Sequence, residues 1–235
     1  MQFDIHTHTI ASGHGTSCTI ADMAKSAAAN GLSLVGISDH GPATMAAGTP
    51  SYFRSLLMAP HYRCGIRLLY GVEVNILDSK GTIDLEDSIL SRLDYAIASM
   101  HIQNMKPGTC EENTQAYLAA MKHPKVKVIG HCDDVKFPVD YRTLVAGAKE
   151  HHVLLELNEA SLTPGGYRGD TRANNIEMLT WCRRYSHPVI LSSDSHGPDR
   201  VGQFPYGTAL LEEVDFPQEL VLNHRLAKLM AFLQK

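Results

Sequence analysis

The 235-residue chain is 44% hydrophobic and 20% charged, a composition that excludes a disordered protein and supplies enough apolar material for a sizeable core. Its formal net charge of −4 argues against long nucleic acid as a partner, since nucleic-acid binders carry a basic stripe. At this length, either one large α/β barrel or two small domains is possible.

Seven short β-rich segments recur along the chain. In order they are QFDIHTH, LSLVGISDH, IRLLYGVEVNI, LDYAIASMH, KVKVIGHCD, VLLELNEA and PVILSSDSH. Several are nearly continuous apolar runs, which are typical of strands buried on both faces of a parallel sheet. We therefore predict a sheet whose strands are mainly parallel.

Helix-like segments separate these strands. The first runs from Thr19 to Asn30, where Thr19 and Asp22 form an approximate capping box and Gly31 provides a C-terminal stop. Further helices are predicted over residues 110–122, 140–151, 172–185 and 217–233.

The alternation of strands and helices predicts either an open doubly wound sheet or a closed barrel. No G-x-G-x-x-G or G-x-x-x-x-G-K-[ST] follows a strand, so the phosphate-binding loops of nucleotide-binding open sheets are missing from the sequence. No linker, repeat or low-complexity tract interrupts the pattern. We expect a single domain over residues 1–235.

Residues that can bind metal or act as acids and bases follow the predicted strands, about one βα unit apart. In parallel α/β folds these strand ends converge on one face, where active sites are built. If these polar side chains were buried at the strand ends without a ligand, each unsatisfied polar group would destabilise the fold by roughly 1 to 3 kcal/mol. They are His6, His8, Asp39, His40, Glu73, His101, His131, Asp194 and His196, with Asn158 or Glu159 after the sixth strand.

Neutral imidazole and carboxylate groups together suit zinc, manganese and iron. His14, in the loop after the first strand, raises the number of candidate ligands to more than one ion can use. The sequence therefore indicates two or three divalent ions, one pair of them bridged by a carboxylate.

Short motifs in the order HTH with the following SGH, SDH, GVEVN, SMH, GHCD and SDSH span residues 6–196. In these motifs the chain resembles the polymerase and histidinol phosphatase (PHP) superfamily, most closely its small stand-alone bacterial-type phosphatases. The resemblance implies a distorted (βα)7 TIM-like barrel with a trinuclear metal site at the C-terminal ends of its strands.

The resemblance also implies a division of the ligands among three ions. One ion would be held by His6, His8, Glu73 and Asp194; Glu73 would bridge to a second ion held by His101 and His131; and His14, His40 and His196 would hold the third. Zinc is the first expectation for the metal, with manganese and iron as alternatives.

The implied reaction is hydrolysis of a small phosphate monoester by a metal-bridging hydroxide that attacks phosphorus in line. Glu73 and Asp194 would be the catalytic carboxylates. In the glycine-rich loop after the sixth strand, Arg168 or Arg172 would clamp the substrate phosphate, and we select Arg168; the alternative is that both are solvated loop residues. Asp39 would either orient a ligand imidazole or cap a strand end.

Two other classes remain open from the sequence. A metal-dependent amidohydrolase also uses His-x-His after its first strand and an aspartate after its last, but it leaves His40 and His196 without a role. A noncatalytic PHP accessory module is the second alternative, although every expected ligand position is occupied here. A nuclease would use the same metal chemistry, but the acidic balance argues against it.

Five widely separated cysteines without a C-x-x-C pair fit a reducing compartment. No segment has the pattern of a signal peptide or the length of a membrane span. We expect a cytoplasmic protein with a small phosphorylated substrate and no membrane partner.

Overall fold

Strands and helices alternate along residues 1–234, the part of the chain that the computed structural model describes. In chain order the elements are β1 (Phe3–Asp4), α1 (Ile20–Ala29), β2 (Leu34–Ile37), α2 (Pro50–Leu56), β3 (Tyr62–Arg63), β4 (Ile66–Asn75), α3 (Asp87–Leu90), β5 (Tyr95–Ser99), α4 (Cys110–Ala120), β6 (Val126–Ile129), α5 (Tyr141–His151), β7 (Leu154–Asn158), α6 (Glu159–Leu162), α7 (Arg172–Tyr185), β8 (Val189–Ser192), α8 (Pro205–Glu213) and α9 (Leu226–Leu233).

Seven strands pair in parallel in the order β1-β2-β4-β5-β6-β7-β8, and β3 folds back antiparallel onto the start of β4. Beyond the regular strands, Thr7 and Ser195 form a parallel bridge, and the His8 amide donates to the Ser195 carbonyl at 2.9 Å. The first and last strands therefore meet, and the sheet is nearly closed. This confirms the predicted TIM-like barrel.

The interior of the barrel has an apolar lower layer and a polar upper layer. On β4, Leu69, Gly71 and Glu73 share the inward face because strand side chains alternate. Tyr95 fills the space between the layers, and a Cβ at Gly71 would lie 2.7 Å from its ring. The lower layer is completed by the C-terminal segment, where Leu222 packs among residues of the barrel interior.

Asn223 fills the seam between β1 and β8 below the Thr7 bridge. Its side-chain amide donates to the carbonyls of Leu191 at 2.8 Å and Phe3 at 3.2 Å, and its Oδ1 accepts from the Leu191 amide at 2.8 Å. Its own carbonyl accepts from the Gln2 amide at 2.7 Å. One fully buried side chain thus satisfies backbone groups that neighbouring strands would otherwise pair.

Most predicted helices are confirmed. The Thr19 hydroxyl accepts from the Asp22 amide and the Asp22 carboxylate accepts from the Thr19 amide, so α1 begins with the expected capping box. Helices α4, α5 and α7 lie within the predicted ranges.

The helix predicted over residues 217–233 is wrong. Two short 3-10 turns, Gln218–Leu220 and Leu222–His224, precede α9. A continuous helix would withdraw Asn223 from the seam, and the contacts there stabilise the interrupted form. None of the helices in residues 1–234 is long and apolar enough to cross a membrane.

Replacing Asn223 tests the seam directly. We expect Asn223→Ala to lower the free energy of unfolding by about 2 to 4 kcal/mol, because buried Leu191 and Phe3 backbone groups lose their partners. Urea unfolding followed by circular dichroism measures the change. The control Gln218→Ala, at an exposed position of the same segment, should change the free energy of unfolding by less than about 0.5 kcal/mol. Equal stabilities of the two variants would contradict this role of Asn223.

Candidate metal centre

Glu73 lies at the centre of the polar end of the barrel and is fully buried. Its Oε2 lies 2.6 Å from Nδ1 of His40 and 3.4 Å from Nε2 of His6. Its Oε1 faces different imidazoles, at 2.8 Å from Nε2 of His131 and 3.4 Å from Nε2 of His101. The two oxygens of one carboxylate therefore face two separate sets of histidines, as a carboxylate bridging two cations would.

Asp194 approaches the same centre from the loop after β8. Its Oδ1 lies 3.1 Å from Nε2 of His8, 3.6 Å from Nε2 of His6 and 3.7 Å from Nδ1 of His196. The ring of His14 lies 4.9 Å, between centroids, from the ring of His196. The structure thus places all nine residues of the predicted ligand set in one cluster.

Three groups of ligand atoms lie close enough together to hold one ion each. They are His6, His8 and Asp194; His40, Glu73 and His101; and His8, His40 and His196. The first group falls within the set implied for one ion. The other two divide the histidines differently from the implied pattern, which joins His101 to His131 and His14 to His40.

Unpartnered buried atoms show that this cluster fits metal ions. A buried lone pair without a donor costs about 1 to 3 kcal/mol, and several here face one another across Glu73. Cations beside Glu73 would satisfy the atoms that face it, and imidazole and carboxylate are suitable zinc ligands. The atoms are Nε2 of His6, His8, His101 and His196, Nδ1 of His40 and His131, and Oε2 of Glu73. Nδ1 of His131 is the exception, because the opposite ring nitrogen, Nε2, is the one that contacts Glu73.

The charges of the cluster are strongly coupled. Burial alone would lower the pKa of His6, but the carboxylates of Glu156, Glu73 and Asp194 outweigh burial and hold this pKa well above its ordinary value. Burial and the neighbouring imidazoles hold the pKa of His8 well below its ordinary value. Burial would raise the pKa of Glu73, yet the surrounding histidines hold it well below the usual range. The surroundings thus favour an ionised Glu73, a protonated His6 and a neutral His8.

Glu156 orients His6, and the sequence analysis did not predict this role. Its Oε1 lies 2.6 Å from Nδ1 of His6, and its Oε2 accepts from the His131 amide at 2.8 Å and from Asn158 Nδ2 at 2.9 Å. A carboxylate behind a ligand imidazole fixes the ring and raises its basicity. The alternation of side chains along a strand could have identified it, because Glu156 and the candidate Asn158 share the inward face of β7.

The sequence-based candidate Glu159 lies elsewhere. Its carboxylate accepts from the amides of Tyr206 at 2.9 Å and Gly207 at 2.8 Å, in the first turn of α8. Asn158 does reach the site, where its Nδ2 donates to Asp194 Oδ2 at 3.3 Å.

Asp39 acts on a candidate ligand through an intermediate side chain. Its Oδ1 accepts from the Ser12 hydroxyl at 2.7 Å, and that oxygen lies 2.9 Å from Nδ1 of His8. The same carboxylate also accepts from the Thr9 amide at 2.6 Å. Asp39 therefore combines the two roles considered for it: it supports His8 indirectly and caps the loop after β1.

Two residues of the cluster adopt left-handed backbone conformations, as do five other non-glycine residues within residues 1–234. His131 has φ of 27° and Asp194 has φ of 52°, values that residues other than glycine rarely adopt. Such conformations cost of order 1 to 3 kcal/mol each and occur mainly at functional sites. The fold holds both side chains in the cluster despite this cost.

Arg168 reaches the cluster and Arg172 does not. Arg168 Nη2 donates to Asp194 Oδ2 at 2.8 Å, and Nη1 lies 3.4 Å from Asn158 Oδ1 and 3.3 Å from Ser161 Oγ. Arg172 pairs instead with Glu213, and both side chains are about half exposed. Arg172 is the first residue of α7, so of the two candidate arginines only Arg168 is placed to contact a ligand at the metal centre.

Cys132 follows His131 but is not a candidate nucleophile. Its side chain is buried, and burial raises the pKa of the thiol well above its ordinary value. The thiolate needed for attack is therefore disfavoured.

Comparisons with known proteins agree with this architecture. A probable phosphatase of Acetivibrio thermocellus is 40% identical over 232 residues, which are 99% of this chain and 95% of the relative. The crystal structure of histidinol phosphate phosphatase from Lactococcus lactis, complexed with zinc, L-histidinol and phosphate, matches with a TM-score of 0.62 and 16% identity over 92% of this chain and 94% of that one.

The putative histidinol phosphatase of Listeria monocytogenes matches with a TM-score of 0.64 and 20% identity, covering 88% of this chain and 99% of that one. At these identities the two structures establish a shared fold. The family profile described as the PHP domain matches residues 4–167, which include seven of the nine residues in the cluster. The chain belongs to the PHP domain family.

Proposed function

We propose that the protein is a metal-dependent phosphatase that hydrolyses small phosphate monoesters at a cluster of two or three divalent ions. The observation that carries this proposal is Glu73, whose two oxygens face separate sets of imidazoles among unpartnered buried atoms. The relative named as a probable phosphatase, which aligns over nearly the whole chain, supports the reaction class. Zinc is the first candidate metal, with manganese and iron as alternatives.

The proposed ligands are the nine residues of the cluster, with Glu73 as the bridge and Asp194 as the second carboxylate. When bound, divalent ions at such a site lower the pKa of water and neutralise charge on phosphoryl oxygens. The protein orients the ligand imidazoles. Glu156 holds His6, Asn75 Oδ1 lies 2.7 Å from Nδ1 of His101, and Ser12 holds His8.

Arg168 is the proposed phosphate clamp. Its contacts with Asn158, Ser161 and Asp194 are made by Nη1 and Nη2, two of the three nitrogens of a guanidinium that carries five N–H donors. Burial opposes a charged arginine, but Asp194 and Asp133 outweigh burial and raise its pKa, so the side chain stays cationic. A fixed cation beside Asp194 would offset the negative charge that a phosphate brings to a site already containing carboxylates.

The main test combines metal analysis with hydrolysis of phenyl phosphate. We expect two or three equivalents of metal, activity that a chelator abolishes, and at least about a hundredfold loss of kcat/KM in Glu73→Gln because the bridging charge is gone. The control Glu86→Gln removes an exposed carboxylate that pairs with Arg54 and should change nothing. Metal-loaded protein that cleaves an amide but no phosphate ester would indicate an amidohydrolase. Metal binding without either reaction would indicate an accessory module.

Replacing Glu156 tests whether it supports a metal ligand. We expect Glu156→Gln to weaken metal affinity about 10- to 100-fold, because the charge behind His6 is lost. Competition with a fluorescent zinc chelator measures the affinity, and Glu150→Gln on the exposed face of α5 is the matched control. Unchanged affinity in Glu156→Gln would show that His6 does not depend on this contact.

Replacing Arg168 separates phosphate binding from support of Asp194. We expect Arg168→Met to raise KM for phenyl phosphate and to weaken competitive inhibition by inorganic phosphate at least about tenfold, because a charged hydrogen bond to phosphate is lost. Metal content should stay unchanged, and Arg172→Met should behave like the wild type. Loss of metal with unaltered phosphate inhibition would instead assign Arg168 to holding Asp194.

A further inference from the structure

Tyr167 stands on the rim of the metal centre. It precedes Arg168, whose guanidinium contacts Asp194 inside the barrel, while the Tyr167 side chain remains 62% exposed. Of these two consecutive residues, Arg168 thus contacts the cluster, whereas the ring of Tyr167 lies at its edge. Adjacent Cα atoms are about 3.8 Å apart, so the Tyr167 ring and the Arg168 guanidinium start from neighbouring points of the loop after β7, at the same end of the barrel as the cluster.

Side chains from two other loops hold the ring in place. Gln103, two residues after His101, donates through Nε2 to the Tyr167 hydroxyl at 3.0 Å. The Lys136 ammonium lies 4.0 Å from the ring centroid and donates to the Tyr167 carbonyl at 2.5 Å. The ring therefore spans the loops that follow β5, β6 and β7, and one of its faces is covered by Lys136.

The backbone around Tyr167 is also fixed. The Val135 amide donates to the Arg168 carbonyl at 3.3 Å. Gly169 has φ of 84°, and a Cβ at this position would lie 2.7 Å from Cγ2 of Val135. The loop can approach the β6 loop this closely because residue 169 is glycine. Tyr167 is therefore an exposed ring whose position is set in advance.

An exposed aromatic side chain normally contributes little to the stability of the fold, and contacts that fix its position are not required. Here a hydrogen bond, a cation and a clamped backbone restrict its motion, which lowers the entropic cost of binding a partner to it. The candidate partner is the part of the substrate that points out of the cluster, namely the alcohol of a phosphate monoester. Aromatic side chains bind planar rings by offset stacking.

We infer that Tyr167 forms the leaving-group subsite and selects phosphate monoesters whose alcohol carries a planar ring. The ring of the substrate stacks against the part of Tyr167 that Lys136 does not cover. This inference rests on the proposed phosphatase function, because it places the phosphate at Arg168 and the metal cluster.

The test compares benzyl phosphate with cyclohexylmethyl phosphate, which have similar leaving groups and size but differ in planarity. We expect the wild type to favour benzyl phosphate about three- to tenfold in kcat/KM, the range that aromatic stacking supplies. Tyr167→Leu should remove this preference. Tyr167→Phe should retain it, because the stacking face remains. Tyr62→Leu, at an exposed tyrosine that pairs beside Arg67 at the opposite end of β4, should leave it unchanged.

Calorimetric binding of benzylphosphonate and cyclohexylmethylphosphonate provides a readout without turnover. Turnover of both esters with the same ratio in wild type and Tyr167→Leu would overturn the subsite and leave the phosphatase proposal standing. A Tyr167-dependent preference in phosphonate binding without hydrolysis of any ester would support the subsite and overturn the phosphatase proposal. Binding of neither phosphonate together with hydrolysis of neither ester would overturn both.

Discussion

The arrangement of the candidate metal centre depends on the buried carboxylate of Glu73. Glu73 faces inward near the C-terminal end of β4, with no exposed surface, and five imidazoles lie within 3.6 Å of its two oxygens. A buried anion of this kind is stable only when cations or donors surround it. The remaining candidate ligands, the oriented histidines and the strained backbone at His131 and Asp194 are all arranged around this charge.

The barrel makes that position possible in two ways. Tyr95 separates the polar end from the apolar layer beneath it, and its hydroxyl donates to the Ile5 carbonyl at 2.5 Å. Asn223 satisfies the backbone at the seam where β1 and β8 do not pair directly. The C-terminal ends of the strands therefore converge on the cluster, and the loops after β5, β6 and β7 meet at Tyr167.

Residues at strand ends could be predicted from the sequence because each follows a short apolar run, and parallel strands bring their ends together. Glu156 lies two residues before the end of β7, as Glu73 does in β4, and it was missed because the candidates for that strand were restricted to Asn158 and Glu159. The role of Asn223 depends on contacts with residues more than 30 positions away, which no local pattern reports. Helices α2 and α8 were also missed, although Pro50 and Pro205 at their first positions are a recognised start signal.

The measurement that tests the account most directly is anomalous diffraction from crystals of the zinc-loaded protein, collected on both sides of the zinc absorption edge. The account predicts two or three peaks around Glu73, with one pair about 3.5 to 4 Å apart on either side of its carboxylate. A well-ordered Glu73 without a neighbouring peak, or a single peak remote from it, would contradict the bridging role on which the proposed function rests.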